Sequence, residues 1–274
     1  KDILVSYCGD ASMQQFMLTQ MAGSSIEKKL FILDAMSACN IEEVPSNWIV
    51  HFGKELISNV DATVKLSVLK FIRLHGVTSM NNTLEQVANN NQNNTILRVN
   101  AIGTSLNDST QLSNQLFDYL YEQLQPGNDA SVRQQVASVL GQAKLSNEQL
   151  LKLAKEFLGK ADAFILPRLM PVFLGANDME IGTALAGALE KSPSLDNITE
   201  EYLREMFSKY PPELNVTTEK LITQLKAVRG ERLARIQAIE SSITKGDIER
   251  GRILFFGKAI CYTCHAIGNE GGNF

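Results

Sequence analysis

The stretch DATVKLSVLKFI, residues 61–72, carries the pattern that decides the fold. Its apolar residues stand at positions i, i+4, i+7 and i+8, on one face of a helix: Val64, Val68, Phe71 and Ile72. Asp61 lies three residues before the first of them, where its side-chain oxygen can accept a hydrogen bond from the first helical turn. The stretch therefore predicts a capped amphipathic helix.

The same apolar face returns three times further along the chain. The starting positions 64, 97, 132 and 166 are spaced by 33, 35 and 34 residues. Asn94 and Asp129 precede the second and third starts as Asp61 precedes the first. The later copies are Leu97 and Ala101, which is the weakest; Val132, Val136, Val139 and Leu140; and Leu166, Met170, Phe173 and Leu174.

A basic residue accompanies every copy of this face. It is Lys65, Arg98 and Arg133 in the first three copies, and Arg168 falls one position late in the fourth. We expect these side chains at the solvated edge of each helix, without a chemical role.

Further helices lie between and after these copies. Ser146 and Gln149 form a capping box, and Ser24 with Glu27 predicts a similar helix start. Residues 178–189 and 199–207 extend the pattern. A helical pair cannot cover its own apolar face, so stacked pairs are expected to form an α-solenoid. Since the tetratricopeptide and ankyrin signatures are absent and no strand-like alternation appears, the sequence predicts an all-α, HEAT-like α-solenoid over residues 1–210.

Two segments interrupt this pattern. The Asn-rich stretch NNTLEQVANNNQNNT, residues 81–95, is typical of a solvated connection with a short helical centre. Pro211 and Pro212 end the array, and a charged helical pattern runs from about residue 217 to residue 243. We interpret residues 211–245 as a capping and connecting helix, and a coiled-coil dimer is the alternative for its apolar stripe.

Composition favours protein partners. The chain has 26 Lys and Arg against 30 Asp and Glu, a net charge of −4, with no long run of either sign. Neither nucleic acid nor an anionic membrane is suggested by this balance, and no stretch reaches the length of a membrane-spanning helix. The first residue is Lys1, so we expect the chain to be a piece of a longer protein.

Four cysteines are too few for a disulfide framework in a chain of 274 residues. We expect Cys8 and Cys39 to be buried thiols, in preference to a bridge between them. Cys261, Cys264 and His265 form the CxxCH spacing of covalently attached haem, with two thiols for the vinyl groups and an imidazole for the iron. The alternatives are a redox dithiol, half of a zinc site, a structural disulfide, and chance.

Residues 246–272 strengthen the haem interpretation. A short helix is predicted from Gly246 and Asp247 to Phe256, and it places Gly251, Leu254 and Phe255 on one face. The stretch GDIERGRILFFGKAICYTCHAIGNEGG resembles the opening of a class I cytochrome c domain, and by this resemblance we interpret residues 246–274 as the incomplete start of such a haem-binding domain. It is similar to the haem-binding domain that follows HEAT-like repeats in planctomycete and verrucomicrobial proteins, many of which also carry an amino-terminal β-propeller of the sugar-dehydrogenase type.

The resemblance implies a role for five residues. Cys261 and Cys264 would form the thioether bonds of haem c, His265 would be the proximal iron ligand, and Phe255 and Phe256 would pack beside the porphyrin or the closing helix of the domain. Ordinary helix packing is the alternative for the two phenylalanines. The distal Met and the closing helices of the family are missing from residues 266–274, and no such propeller lies in this chain. Haem is therefore expected in the full-length protein, and the residues of this chain alone would not enclose it fully.

Two functional hypotheses follow. The first is an electron-transfer protein whose repeats dock a redox partner or a fused sugar or alcohol dehydrogenase domain, exported or periplasmic because covalent haem is attached outside the bacterial cytoplasm. The second is a HEAT-like protein-interaction scaffold without a redox role in this chain. Residues 1–260 show no convincing catalytic constellation, so the sequence assigns no catalytic site.

Overall fold

The computed structural model describes residues 1–106, 111–243 and 245–272. Within this part the protein is about 70% helical, which confirms the all-α prediction. The chain divides into two compact units, residues 1–222 and 223–274. The division falls inside a helix, and the three-part arrangement expected from the sequence stays a prediction.

Fifteen α-helices lie in the described residues, with short 3₁₀ segments between several of them. A two-stranded antiparallel hairpin joins β1 (Ala266–Ile267) and β2 (Glu270–Gly271) in the second unit. The helices are α1 Asp2–Ser6, α2 Ala11–Met21, α3 Ile26–Ser37, α4 Ser46–Ile57, α5 Ala62–Leu74, α6 Asn81–Asn89, α7 Thr95–Ser105, α8 Asn114–Gln123, α9 Ala130–Gln142, α10 Asn147–Lys152, α11 Leu166–Leu169, α12 Met179–Lys191, α13 Glu200–Phe207, α14 Asn215–Ser242 and α15 Ile248–Phe256.

Helix starts follow the predicted caps. Asp61, Asn94 and Asp129 accept backbone N–H groups at the starts of α5, α7 and α9. Ser146 and Gln149 form the expected capping box at α10. The start of α3 differs by one residue, because its cap is Ser25 and not Ser24.

Alternate helices of the first unit pack against each other. Helix α5 contacts α3 and α7, and α9 contacts α7 and α11. The intervening helices form a second set, in which α4 contacts α6 and α10 contacts α12. Successive helices also pair, as α4 with α5 and α6 with α7. The repeated apolar face is the reason for this packing: its members are buried except Val132 and Leu174, which are half-buried.

An aromatic cluster forms part of the core of the first unit. The ring centroid of Phe71 lies 4.8 Å from that of Phe52 and 5.8 Å from that of Trp48. All three side chains are fully buried, and each contributes about 1.5–3 kcal/mol through removal of apolar surface from water. The indole Nε1 of Trp48 donates to the carbonyl oxygen of Gln14 at 3.3 Å, which satisfies its buried N–H.

The basic residues of the repeat are not all at a solvated edge, so that expectation is wrong for three of them. Arg98 donates from Nε to the carbonyl oxygen of Ala88 at 2.7 Å. Arg133 does the same to Leu124 at 3.0 Å. Lys65 is only 7% exposed, and burial lowers its pKa. The two guanidinium groups satisfy carbonyls at the end of the preceding helix, where a cation is favourable. Arg168 alone is exposed.

The Asn-rich stretch is also more ordered than its composition suggests. Its first nine residues form α6, which buries Leu84, Val87 and Ala88. Its remaining Asn residues act as turn and cap formers, as predicted: Asn90 accepts from the N–H of Gln92. The predicted helical centre is therefore confirmed, and it is longer than expected because it covers residues 81–89, where apolar spacing of three and four overrides low helix propensity.

Cys8 and Cys39 form a disulfide, so the prediction of two thiols is wrong. Their Cα atoms lie 6.1 Å apart, and both residues are buried as expected. The bridge links the end of α1 to the end of α3. Pairing depends on how these helices pack, which the spacing of 31 residues alone does not reveal.

The long helix α14 agrees with the predicted charged helix to within two residues at each end. Leu221 and Ile222 are buried in its first half. Its second half exposes Leu233, Ile236 and Ile239. Among the described residues, no helix is both long enough and apolar enough to cross a bilayer.

Candidate functional site

Helix α15 leads the chain into the CxxCH segment. Asp247 caps the helix by accepting the backbone N–H of Arg250 at 3.0 Å, in agreement with the predicted start. At its other end, Gly257 donates to the carbonyl oxygen of Ile253 at 2.9 Å and Ala259 donates to that of Leu254 at 3.0 Å. Ile260 then adopts a left-handed conformation with φ of +47°, which is uncommon for a β-branched residue. This reversal sets the direction of the following turn.

The two cysteines lie on one 3₁₀ turn, Cys261–Thr263 and the residue after it. The backbone N–H groups of Cys264 and His265 both point back to the carbonyl oxygen of Cys261, at 3.1 and 2.9 Å. Two thiols and an imidazole are therefore presented by five consecutive residues whose backbone is hydrogen-bonded to itself.

Both cysteines of this turn are free thiols. Cys261 is half-buried, with Sγ 3.7 Å from the carbonyl oxygen of Ala259. Cys264 is exposed, with Sγ 3.7 Å from Oγ1 of Thr263. His265 is exposed as well. All three reactive groups are accessible from solvent, so a large planar ligand could reach them.

Phe255 and Phe256 lie at the end of α15 and are half-buried. Their ring centroids are 5.0 Å apart in an edge-to-face arrangement. Phe256 also lies 5.7 Å from the ring of Tyr262, which places an aromatic contact between the helix and the attachment turn. Phe255 has no such contact with the turn among the ring pairs of the described residues.

Sequence reasoning missed two residues that join this site together. Tyr262, between the cysteines, received no role, yet it is the contact of Phe256. Arg252 has its guanidinium carbon 5.4 Å from the Phe256 ring centroid and pairs with Glu270 of β2 at 3.0 Å. No signal in the sequence pointed to either, because both contacts depend on the fold of the turn and hairpin.

The residues present fit a covalently bound haem. The donor set is two accessible thiols and one imidazole, which is the set that haem c requires. Exposed apolar side chains lie on the same segment, among them Ile253, Ile260 and Ile267 at 70%, 59% and 65% exposure. Such surface is suited to an apolar macrocycle.

The alternatives for the cysteine pair gain less support. Cys261 and Cys264 are not bonded to each other, in contrast to a structural disulfide. In the described residues, no group of three or more His, Cys, Asp or Glu side chains is arranged to hold a metal ion. The preceding element is a helix in a mostly helical chain, whereas a thioredoxin-like dithiol follows a strand.

A second cluster of titratable residues lies in the first unit. Lys29 of α3 pairs with Glu55 of α4 at 2.8 Å, and His51 Nε2 lies 3.6 Å from the same carboxylate oxygen. Burial is the main reason that the pKa of His51 is lowered. The cluster ties two helices together, and no cavity among those found in the described residues is lined by its members.

Comparison of the chain with models of protein families, with curated proteins and with solved structures gives no match.

Proposed function

We propose that this protein is an electron-transfer protein that carries haem c on Cys261, Cys264 and His265. The observation that carries the proposal is the attachment turn: two free thiols three residues apart on one hydrogen-bonded turn, followed directly by an accessible imidazole. When bound, haem supplies reversible one-electron chemistry at its iron, with a potential set by the axial ligands and the dryness of the pocket.

The chain's own residues would bind and orient the haem. Each cysteine would supply its S–H to one vinyl C=C bond, so that sulfur would bond to one carbon and the hydrogen to the other. No atom is lost and no oxidant is needed. His265 would be the proximal ligand, and Phe256 would lie at the edge of the bound group because its ring already contacts Tyr262 of the turn.

The repeats would serve as a scaffold for the partner. We propose that the first unit is a HEAT-like α-solenoid, and the alternating contacts of α3, α5, α7, α9 and α11 support this. The electron donor would be a sugar or alcohol dehydrogenase domain or subunit, as the resemblance implies. The acceptor would be a further cytochrome or a membrane carrier.

An exported or periplasmic location is part of the proposal. The Cys8–Cys39 disulfide supports it, because disulfides persist in oxidising compartments and are rare in the cytosol. Covalent haem attachment outside the bacterial cytoplasm points in the same direction.

The second candidate function is a protein-interaction scaffold without a redox role. The observation that favours it is that the helical pairs bury their apolar faces within residues 1–222, independently of the cysteine turn. A scaffold would bind its partner equally well after replacement of Cys261 and Cys264.

The test is intact mass and absorption spectroscopy on the chain exported in cells competent for cytochrome c maturation. The expected result is a mass increase of one haem and a reduced c-type spectrum, both absent from a Cys261→Ala, Cys264→Ala variant. A Cys8→Ser, Cys39→Ser variant is the matched control, since it loses the same number of cysteines and should retain haem. An unmodified parent chain would overturn the redox function and leave the scaffold.

A further inference from the structure

The hairpin after the CxxCH segment lies directly against the backbone of the attachment turn. Gly271 has φ of +118°, a conformation that L side chains rarely adopt. A Cβ atom at this position would lie 2.2 Å from the carbonyl oxygen of His265 and 2.9 Å from the Cα atom of Ala266. Only glycine fits there without displacing the backbone of the proposed iron ligand.

Gly272 makes a second contact of the same kind. Its N–H donates to the carbonyl oxygen of Tyr262 at 2.6 Å. A Cβ atom on Gly272 would lie 2.6 Å from the carbonyl oxygen of Thr263. The two glycines therefore contact the backbone of three residues of the CxxCH segment, namely Tyr262, Thr263 and His265.

Side chains hold the hairpin and the turn on α15. Arg252 pairs with Glu270, the residue before Gly271, at 3.0 Å. Phe256 contacts Tyr262 through their rings. The helix, the turn and the hairpin are thus linked by one ion pair, one ring contact and one backbone hydrogen bond.

We infer that Gly271 and Gly272 are positioning residues for haem attachment and iron ligation. They fix the backbone of residues 262–265 so that both thiols and the imidazole are presented in one arrangement before haem binds. The inference rests on the proposed function, because it assigns these glycines a part in the same site. Neither glycine is expected to touch the haem.

Gly271→Ala and Gly272→Ala test the inference in the full 274-residue chain, produced with cytochrome c maturation. Gly230→Ala is the matched control, since a Cβ there meets no atom within 4 Å and Gly230 lies in helix α14, outside the CxxCH segment. The fraction of chains carrying haem is measured by intact mass, and the number of thioether bonds by the pyridine haemochrome spectrum. We expect a loss of two-thioether product on the order of ten-fold in the first two variants and none in the control.

The spectrum of the chains that still carry haem distinguishes a positioning role from a general folding defect. A positioning role predicts that their ferric spectrum shows weakened His265 ligation and that added imidazole displaces it more readily than in the parent. Equal haem loading, or reduced loading with a spectrum and imidazole response like the parent's, would overturn the inference while leaving the proposed function intact. A parent chain without haem would overturn both.

Discussion

Gly141 of α9 lies against the backbone of Arg168, so close that a Cβ atom on Gly141 would be 1.9 Å from the Arg168 carbonyl oxygen. The absence of a side chain at this position lets α9 and α11 approach each other. A substitution there must move one of the two backbones.

Gly141→Ala is therefore expected to destabilise the first unit by about 1–3 kcal/mol, the usual cost of overpacking a core. Gly187→Ala is the matched control, because Gly187 is also helical but a Cβ there meets no atom within 4 Å. It should stabilise by about 0.5–1 kcal/mol through helix propensity. Urea unfolding followed by circular dichroism measures the free energy of unfolding of both variants. If both substitutions changed this free energy in the same direction, the close approach of Gly141 to Arg168 would be contradicted.

The disulfide between Cys8 and Cys39 should contribute substantially to stability. It closes a loop over a separation of 31 residues, for which the chain-entropy treatment gives about 3–4 kcal/mol. In urea unfolding, adding reductant should lower the free energy of unfolding of the parent by this amount. Reductant should not change the free energy of unfolding of the Cys8→Ser, Cys39→Ser variant.

The bridge can also be detected directly. Alkylation of the chain unfolded in urea, without reductant and without haem, should modify two cysteines, Cys261 and Cys264, and prior reduction should raise the number to four. Modification of all four cysteines without reductant would show that the bridge is absent.

Local signals in the sequence predicted local structure well. Asp61, Asn94 and Ser146 cap their helices because a cap depends on residues two or three positions away. The Cys8–Cys39 bridge and the carbonyl contacts of Arg98 and Arg133 escaped prediction, because they depend on which helices become neighbours. In the candidate site, the spacing of the cysteines could be recognised in the sequence. The contacts of Tyr262 and Gly271 could not be predicted, because they form only when the turn and the hairpin fold against each other.

The aspartate caps should make the first unit sensitive to acid. Hydrogen bonds from the Ser131 side chain and backbone lower the pKa of Asp129 below its ordinary value, and Thr63 does the same for Asp61. A carboxyl group whose pKa is lowered by folding stabilises the protein above its unfolded pKa of about 3.9. That stabilisation is lost as the pH falls through the lower folded value.

Asn94 shows that an amide can serve in the same position, so the Asp61→Asn, Asp129→Asn variant should fold normally at pH 7. Its stability should fall less than the parent's as the pH is lowered from about 5 to below the ordinary carboxyl pKa of about 3.9. Thermal unfolding across this range measures the difference. Parallel curves for the two proteins would mean that the caps do not contribute to acid sensitivity.

Two tyrosines offer opposite outcomes for the same substitution. Tyr210 donates from its hydroxyl to the carbonyl oxygen of Phe173 at 3.0 Å, and burial raises its pKa. Tyr210→Phe removes this buried hydrogen bond, while the carbonyl oxygen of Phe173 keeps the N–H of Ala176 at 3.2 Å. The substitution should therefore cost about 0.5–1.5 kcal/mol. Tyr202 is half-buried, and its buried hydroxyl has no hydrogen-bond partner among the described residues. Tyr202→Phe removes a desolvated polar group, so it should leave the free energy of unfolding unchanged or raise it. Urea denaturation measures the free energy of unfolding of both variants. A larger decrease for Tyr202→Phe than for Tyr210→Phe would show that the hydroxyl of Tyr202, and not that of Tyr210, makes the stabilising hydrogen bond.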